Sequence, residues 1–232
     1  MAIFWRMLLA YLLSDFTLRY DYSGKRRGWY LAPVYGLVHY AVLILFTAPF
    51  LEQKWAFGVK GWYVCAAVAL CHCLIDLAGS LAFFALKIRN GLTLFLADQI
   101  LHLYLILLFS GPVVSSPAGS YGSKWFAIAA LFAAAAHGCT ALVYFMEKEL
   151  YRGTEYPRPD EMYFWIGERL VMMLFFFTAG YYWAPFALAW AAQMLYIKRV
   201  RAVDVSGINL SVSIIVPCLF GAFGRSLFYG YF

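Results

Sequence analysis

The sequence predicts an all-α fold, a polytopic transmembrane bundle of about eight helices. Three observations lead there. Apolar residues make up 64% of the chain and charged residues only 13%, against roughly half apolar in a soluble domain. Apolar runs of about 18–25 residues recur, the length that carries a helix across ~30 Å of hydrocarbon at ~1.5 Å per residue. Only short polar or Gly/Pro-containing links separate them, so residues 1–232 read as a single integral membrane domain.

The predicted spans are 3–20, 30–51, 61–86, 91–112, 125–146, 162–181, 183–200 and 208–230. The first carries an aspartate, Asp15, where a signal peptide would be purely apolar, and it has neither a basic start nor a small-residue cleavage site; it is expected to stay as a helix. The third and fourth make a hairpin through Lys87–Asn90. The longest link, between Glu147 and Glu161, contains RGTEYPRPDE and is too short and polar to fold alone. Tryptophans and tyrosines near span ends (Trp29, Tyr30, Trp55, Trp62, Tyr121, Trp125, Tyr181, Tyr182) fit an interfacial belt. All five cysteines lie within apolar spans, and their odd number argues against a disulfide framework.

Basic residues give the orientation. Arg19, Lys25, Arg26, Arg27, Lys87, Arg89, Lys148, Arg152, Arg158, Lys198, Arg199 and Arg201 occupy the odd links, whereas the even links hold only Lys54, Lys60 and Lys124. By the positive-inside rule the odd links are cytoplasmic and both termini face outward. The net charge of +6 is thereby explained by topology, with no nucleic-acid partner.

Polar residues interrupt this apolar chain in a pattern. The third span contains HCLID, residues 72–76, and the fourth FLADQILH, residues 95–102: a histidine and an aspartate four apart, in opposite order on the two arms of the hairpin. Each pair stands equally far from the turn, so Asp76 is expected level with Asp98 and His72 level with His102, on one face of each helix. Asp15 falls ~8 Å and His39 ~13 Å from the cytoplasmic end of their spans, and the hairpin pairs at a similar depth. A charged group deep in hydrocarbon costs ~2.5–3.5 kcal/mol on insertion scales, so such residues need partners. Carboxylates mixed with imidazoles suit a divalent metal, zinc, manganese or iron, with His39, His72, Asp76, Asp98 and His102 as ligands. Two other readings stay open: interhelical hydrogen-bonded packing, and proton or ion conduction.

These motifs carry a resemblance. LLSDFTLR, Lys25 in GKRR, His39 in GLVHY, HCLID, FLADQILH and IGERL at 166–170 resemble, in order, a bacterial inner-membrane family known as domain of unknown function 3307. HCLID and ADQILH are the specific part. The chain departs from the family pattern at Arg19, where glutamine is usual, and at Gly79, where a lysine often stands. The resemblance implies a helical membrane fold and a set of polar positions, without a settled reaction. A more distant similarity links the chain to bacterial membrane proteins assigned as metal-dependent hydrolases.

Asp15 and Glu168 are the catalytic candidates, Glu168 as a general base or a further ligand, and Lys25, Arg26 and Arg169 the candidates for holding an anionic head group. Glu168 and Arg169 serve equally well as interhelical contacts. His137 has no acid at helical spacing and reads as a packing histidine; Cys71 and Cys73 flank a histidine but point ~100° away on the helix. No GxGxxG, P-loop, HExxH or paired CxxC motif occurs. The expected activity is metal-dependent hydrolysis of a lipid or lipid-linked phosphate, with membrane lipids as partners. The alternatives are a metal-ion or proton-coupled transporter using the same residues, and a non-catalytic scaffold.

Overall fold

A computed structural model describes residues 2–18, 31–85, 87, 91–111, 122–151, 159–200 and 206–230. Among them there is no strand, and eight helices account for most of these described residues. Helix α1 covers Ala2–Leu12 and continues as a π turn, Leu13–Thr17; α2 is Ala32–Thr47, α3 Gly61–Phe84 and α4 Leu92–Ser110. Helix α5 is Ser123–Tyr151, with a π turn at Ala134–Gly138; α6 is Pro159–Phe175, α7 Trp183–Arg199 and α8 Gly207–Tyr229. Five of them, α2, α3, α4, α5 and α8, are long and apolar enough to cross a membrane. The protein is accordingly a membrane protein.

The chain divides into two compact units, Met1–Ala130 and Leu131–Phe232. In the first, α1 packs on α2 and α4, and α3 packs on the same two, which closes a four-helix ring. Pro33 sits in the first turn of α2, where its missing N–H has no partner to lose. The link after α2 is tied by an indole bond, Trp55 Nε1 to the Phe50 carbonyl at 2.8 Å, and by an exposed pair, Lys60 Nζ to Glu52 Oε2 at 2.9 Å. Trp62 Nε1 donates to the other Glu52 oxygen at 2.9 Å. These bonds to Lys60 first, and to Trp62, hold the Glu52 carboxyl below its ordinary range, and the same pair raises Lys60.

In the second unit α6 packs against α5, α7 and α8. Met172, Phe176, Met194 and Leu210 form its main apolar core, with Leu131, Ala135 and Met173 in a neighbouring cluster. Helix α6 ends at Phe175, six residues short of the predicted span to 181. The reason lies in α8: Arg225 donates to the carbonyls of Phe176, Thr178 and Gly180 at 2.7–2.8 Å. A guanidinium there satisfies carbonyls that the helix end leaves open and meets the negative end of its dipole. Gly180, at φ 58°, lets the chain turn back toward α7. Helix α8 starts on Ser206, whose Oγ accepts from the Asn209 amide at 2.9 Å, and ends at left-handed Gly230.

Of the basic residues that give the sequence its orientation, Arg19, Lys25, Arg26, Arg27, Arg89, Arg152, Arg158 and Arg201 lie outside the described residues, as do Trp29, Tyr30 and Tyr121 of the aromatic belt.

Candidate functional site

Each helix of the first unit sends polar side chains into the ring. Helix α1 contributes Tyr11 from its regular part and Ser14, Asp15 and Phe16, all buried, from the π turn that ends it. Ser14 Oγ lies 2.6 Å from His39 Nδ1 on α2. Since Ser14 also donates to the Tyr11 carbonyl at 3.1 Å, the proton of the short contact belongs on His39 Nδ1, which leaves the lone pair on Nε2.

The two arms of the hairpin meet as their spacing requires. The His72 and His102 ring centroids are 4.5 Å apart with planes at 59°. One ligand atom from each of His72, Asp76 and His102 lies within 4.8 Å of the others, and all three residues are at most 3% exposed. His72 Nε2 and Asp76 Oδ2 are 3.7 Å apart, too long for a hydrogen bond but close to the ~3.4 Å that separates two tetrahedral ligands of one ion at ~2.1 Å. On His102, Nδ1 meets the Asp98 carbonyl at 2.8 Å. A carbonyl only accepts, so Nδ1 carries the proton and Nε2 the lone pair. That Nε2 is buried with no hydrogen-bond donor. A ligating histidine is typically held this way, its far nitrogen tied to a backbone carbonyl or carboxylate.

The same geometry separates residues that spacing alone had grouped. His39 stacks on His72, centroids 4.4 Å apart and planes within 16°. An ion lies in the plane of each imidazole that binds it, and two stacked, near-parallel rings have no common point at bonding distance. In this arrangement the His39 ring backs that of His72. Asp98 stands behind His102. Its Oδ2 is 3.9 Å from His102 Nδ1, the nitrogen turned away from the lone pair, and its side chain is 13% exposed. It is placed to orient His102.

Tyr11 is the central residue that the sequence reading passed over. Its buried ring stacks on His102 at 5.1 Å and stands edge-on to His39 and His72, 6.2 and 6.1 Å away. Its hydroxyl donates to Gln99 Oε1 at 2.7 Å, with Asp15 Oδ2 at 3.5 Å, and Gln99 Nε2 in turn donates to Asp98 Oδ2 at 3.4 Å. A signal was present: Tyr11 precedes Asp15 by four residues and so shares its helix face. Ser14 and Gln99 stood inside the quoted motifs without a role.

Lys25 and Arg26 lie outside the described residues. Glu168 and Arg169 belong to the second unit. Arg169 is 1% exposed. Nε donates to Ser213 Oγ at 2.9 Å, Nη1 to Thr140 Oγ1 at 2.8 Å and the Ala136 carbonyl at 3.4 Å, and Nη2 to Asn209 Oδ1 at 3.0 Å. Ala136, whose carbonyl accepts from both Arg169 and Thr140, lies in the π turn of α5. The guanidinium thereby joins α5, α6 and α8 through neutral oxygens. His137 lies in that π turn.

A family model matches residues 3–127, from the first residues of α1 into α5. The chain belongs to the family described as Protein of unknown function (DUF3307). The DUF3307 match takes in every member of the His/Asp cluster and stops just before the second unit, so the IGERL stretch falls beyond it. No curated protein matches the chain, and no solved structure does.

Proposed function

We propose that the four-helix ring is a membrane-embedded divalent-metal centre that hydrolyses a lipid or lipid-linked phosphate, with His72, Asp76 and His102 as the protein ligands. One observation carries the reading: two imidazoles and one carboxylate bring ligand atoms within 4.8 Å of one another in a buried site. Three protein ligands of this kind are the usual catalytic set, which keeps a position for water or substrate, whereas structural zinc sites close with four. The donor set suits zinc or iron, and manganese less closely. The metal's contribution is to lower the pKa of a bound water toward ~7 and to stabilise charge on a phosphoryl oxygen.

The chain's own residues supply the rest. Asp98 and the α4 backbone fix the His102 tautomer, Ser14 fixes His39, and the His39 ring braces His72. Asp15, 3.5 Å from the Tyr11 hydroxyl, is the carboxylate available as a general base. An amphiphilic substrate is favoured because the centre lies among apolar spans. The basic asymmetry of the links supports odd links in the cytoplasm, both termini outside and the centre in the cytoplasmic half, and the resemblance to a bacterial inner-membrane family supports that membrane.

A second reading, proton or metal-ion transfer, is favoured by the continuous contact of Tyr11, His102, His72 and His39. Phosphate release from a panel of lipid phosphates, with zinc or manganese added to purified protein, separates the two. Hydrolysis predicts metal-dependent release that Asp76→Asn and His102→Ala abolish. No release from the wild type, together with ion flux in proteoliposomes that the same substitutions abolish, would replace hydrolysis by transport.

A further inference from the structure

Between α2 and α3, on their outer side, the first unit carries a groove of about 400 Å³. Helix α2 lines it with Pro33, Gly36, Leu37 and Tyr40, and α3 with Ala66, Ala69, Leu70 and Cys73. Both sets follow the spacing i, i+3, i+4, i+7 that makes one face of a helix. His39 and His72 each immediately precede the last member of their set, so they point ~100° around the axis, into the ring. The same two helices thus present histidines inward and this groove outward.

Its floor is made of small residues and its walls of large ones. A Cβ on Gly36 would stand 3.1 Å from the Cys73 Cβ and 3.6 Å from the Ala69 carbonyl, so glycine is what lets α2 and α3 cross this closely. Leu37 and Leu70 rise on either side, 69% and 61% exposed. Only the Tyr40 hydroxyl and the Cys73 thiol interrupt an apolar lining. Both helices have the length and hydropathy of membrane spans, which puts hydrocarbon rather than water at the groove. Pro33 is the second residue of α2. One end of the groove therefore opens near the head groups, and the other reaches ~10 Å toward the membrane interior at ~1.5 Å per residue.

We propose that this groove is a binding site for one acyl chain of a membrane lipid. Size separates that occupant from a helix of a second copy. About 400 Å³ over ~10 Å of length gives a cross-section of ~40 Å², half the ~80 Å² of a helix ~10 Å across. The small residues through which membrane helices usually pair are also already engaged in the α2–α3 crossing. An unfilled groove would forfeit dispersion contacts along its floor, and a flexible hydrocarbon chain supplies them.

Photolabelling of the purified full chain tests this, in phospholipid nanodiscs doped with a phosphatidylglycerol that carries a diazirine on one acyl chain. Leu37 and Leu70 should take severalfold more label than Leu45 on α2 and Leu107 on α4, which are 71% and 58% exposed. Ala66→Phe, which fills the groove from an exposed position, should remove the excess and leave the label on Leu45 and Leu107 unchanged. The wild-type ratio decides alone if that variant does not fold. Equal labelling of all four leucines overturns the proposal, because the groove then holds no more than the surrounding bilayer. So does an unlabelled groove, and disulfide-linked dimers of Leu37→Cys would then make the occupant a second copy. The outcome is independent of whether the first unit binds metal.

Discussion

The two units bury polarity at similar depth and resolve it in opposite ways. In the second, the Arg169 guanidinium on α6 spends its donors on neutral oxygens of α5 and α8 within 2.8–3.4 Å, among them a serine-asparagine pair that is itself hydrogen-bonded. In the first, the side chains organise each other yet hold a lone pair in reserve: His102 Nδ1 is tied to a carbonyl, and Nε2 is buried without a donor. A group whose every bond is made internally pins helices. A group oriented by its neighbours and left with open capacity is prepared for something else. Burial costs both units, and in the first the His102 lone pair lacks the compensation that ordinary packing would supply.

The comparison is broken most forcefully at Arg169. Arg169→Ala strands Ser213, Thr140 and Asn209 and should cost on the order of 3 kcal/mol, seen as a lower melting temperature in detergent with metal binding by the first unit intact. A variant that melts like the wild type would mean the guanidinium is no pin. Asp98→Asn sharpens the other side: removing a carboxylate that orients a ligand typically weakens metal affinity about 10- to 100-fold without abolishing it. Titration with zinc reads this, and complete loss of binding would make Asp98 a ligand after all. His39→Phe keeps a ring stacked on His72, so metal stoichiometry should be unchanged. A halved or absent metal content would return His39 to the ligand set.

The smallest effect is expected at the α2–α3 link. The folded Glu52 carboxyl titrates below its unfolded value because Lys60 and Trp62 bond the charged form. Its contribution is therefore present above the ordinary carboxylate range and lost as pH falls through the lower, folded value. Melting curves of wild type and Glu52→Gln should converge at acid pH and differ slightly at neutral pH, since the pair is fully exposed and screened. A difference that grows on acidification would contradict this sign.

Much of this was legible in one dimension. Apolar runs located all eight helices, because spanning length is a local property. The His72 and His102 contact was legible too, since a tight hairpin makes equal distance from the turn a three-dimensional rule. What spacing cannot carry is orientation. His39 and Asp98 share the right depth with His72, Asp76 and His102, and only the ring planes and the bonded nitrogen set them behind that trio. Long-range partners were equally invisible: α6 stops at Phe175 because of Arg225 on α8, and Arg169 is claimed by residues 29–44 positions away. Tyr11 looked like one more aromatic in an oily helix until its ring contacts with three histidines were in view.

The central claim is that the first unit holds a metal ion on three side chains. Elemental analysis of the purified wild type beside Asp76→Asn, His102→Ala and Arg169→Ala tests it directly. The account predicts stoichiometric zinc, iron or manganese in the wild type and in Arg169→Ala, and none in the two ligand variants. It further predicts that added metal stabilises the wild type alone of the first three, by about 2.7 kcal/mol at a hundredfold excess over Kd. Wild-type protein without metal and without a metal-dependent melting shift would contradict the account, and the buried histidines would then be a packing device like Arg169.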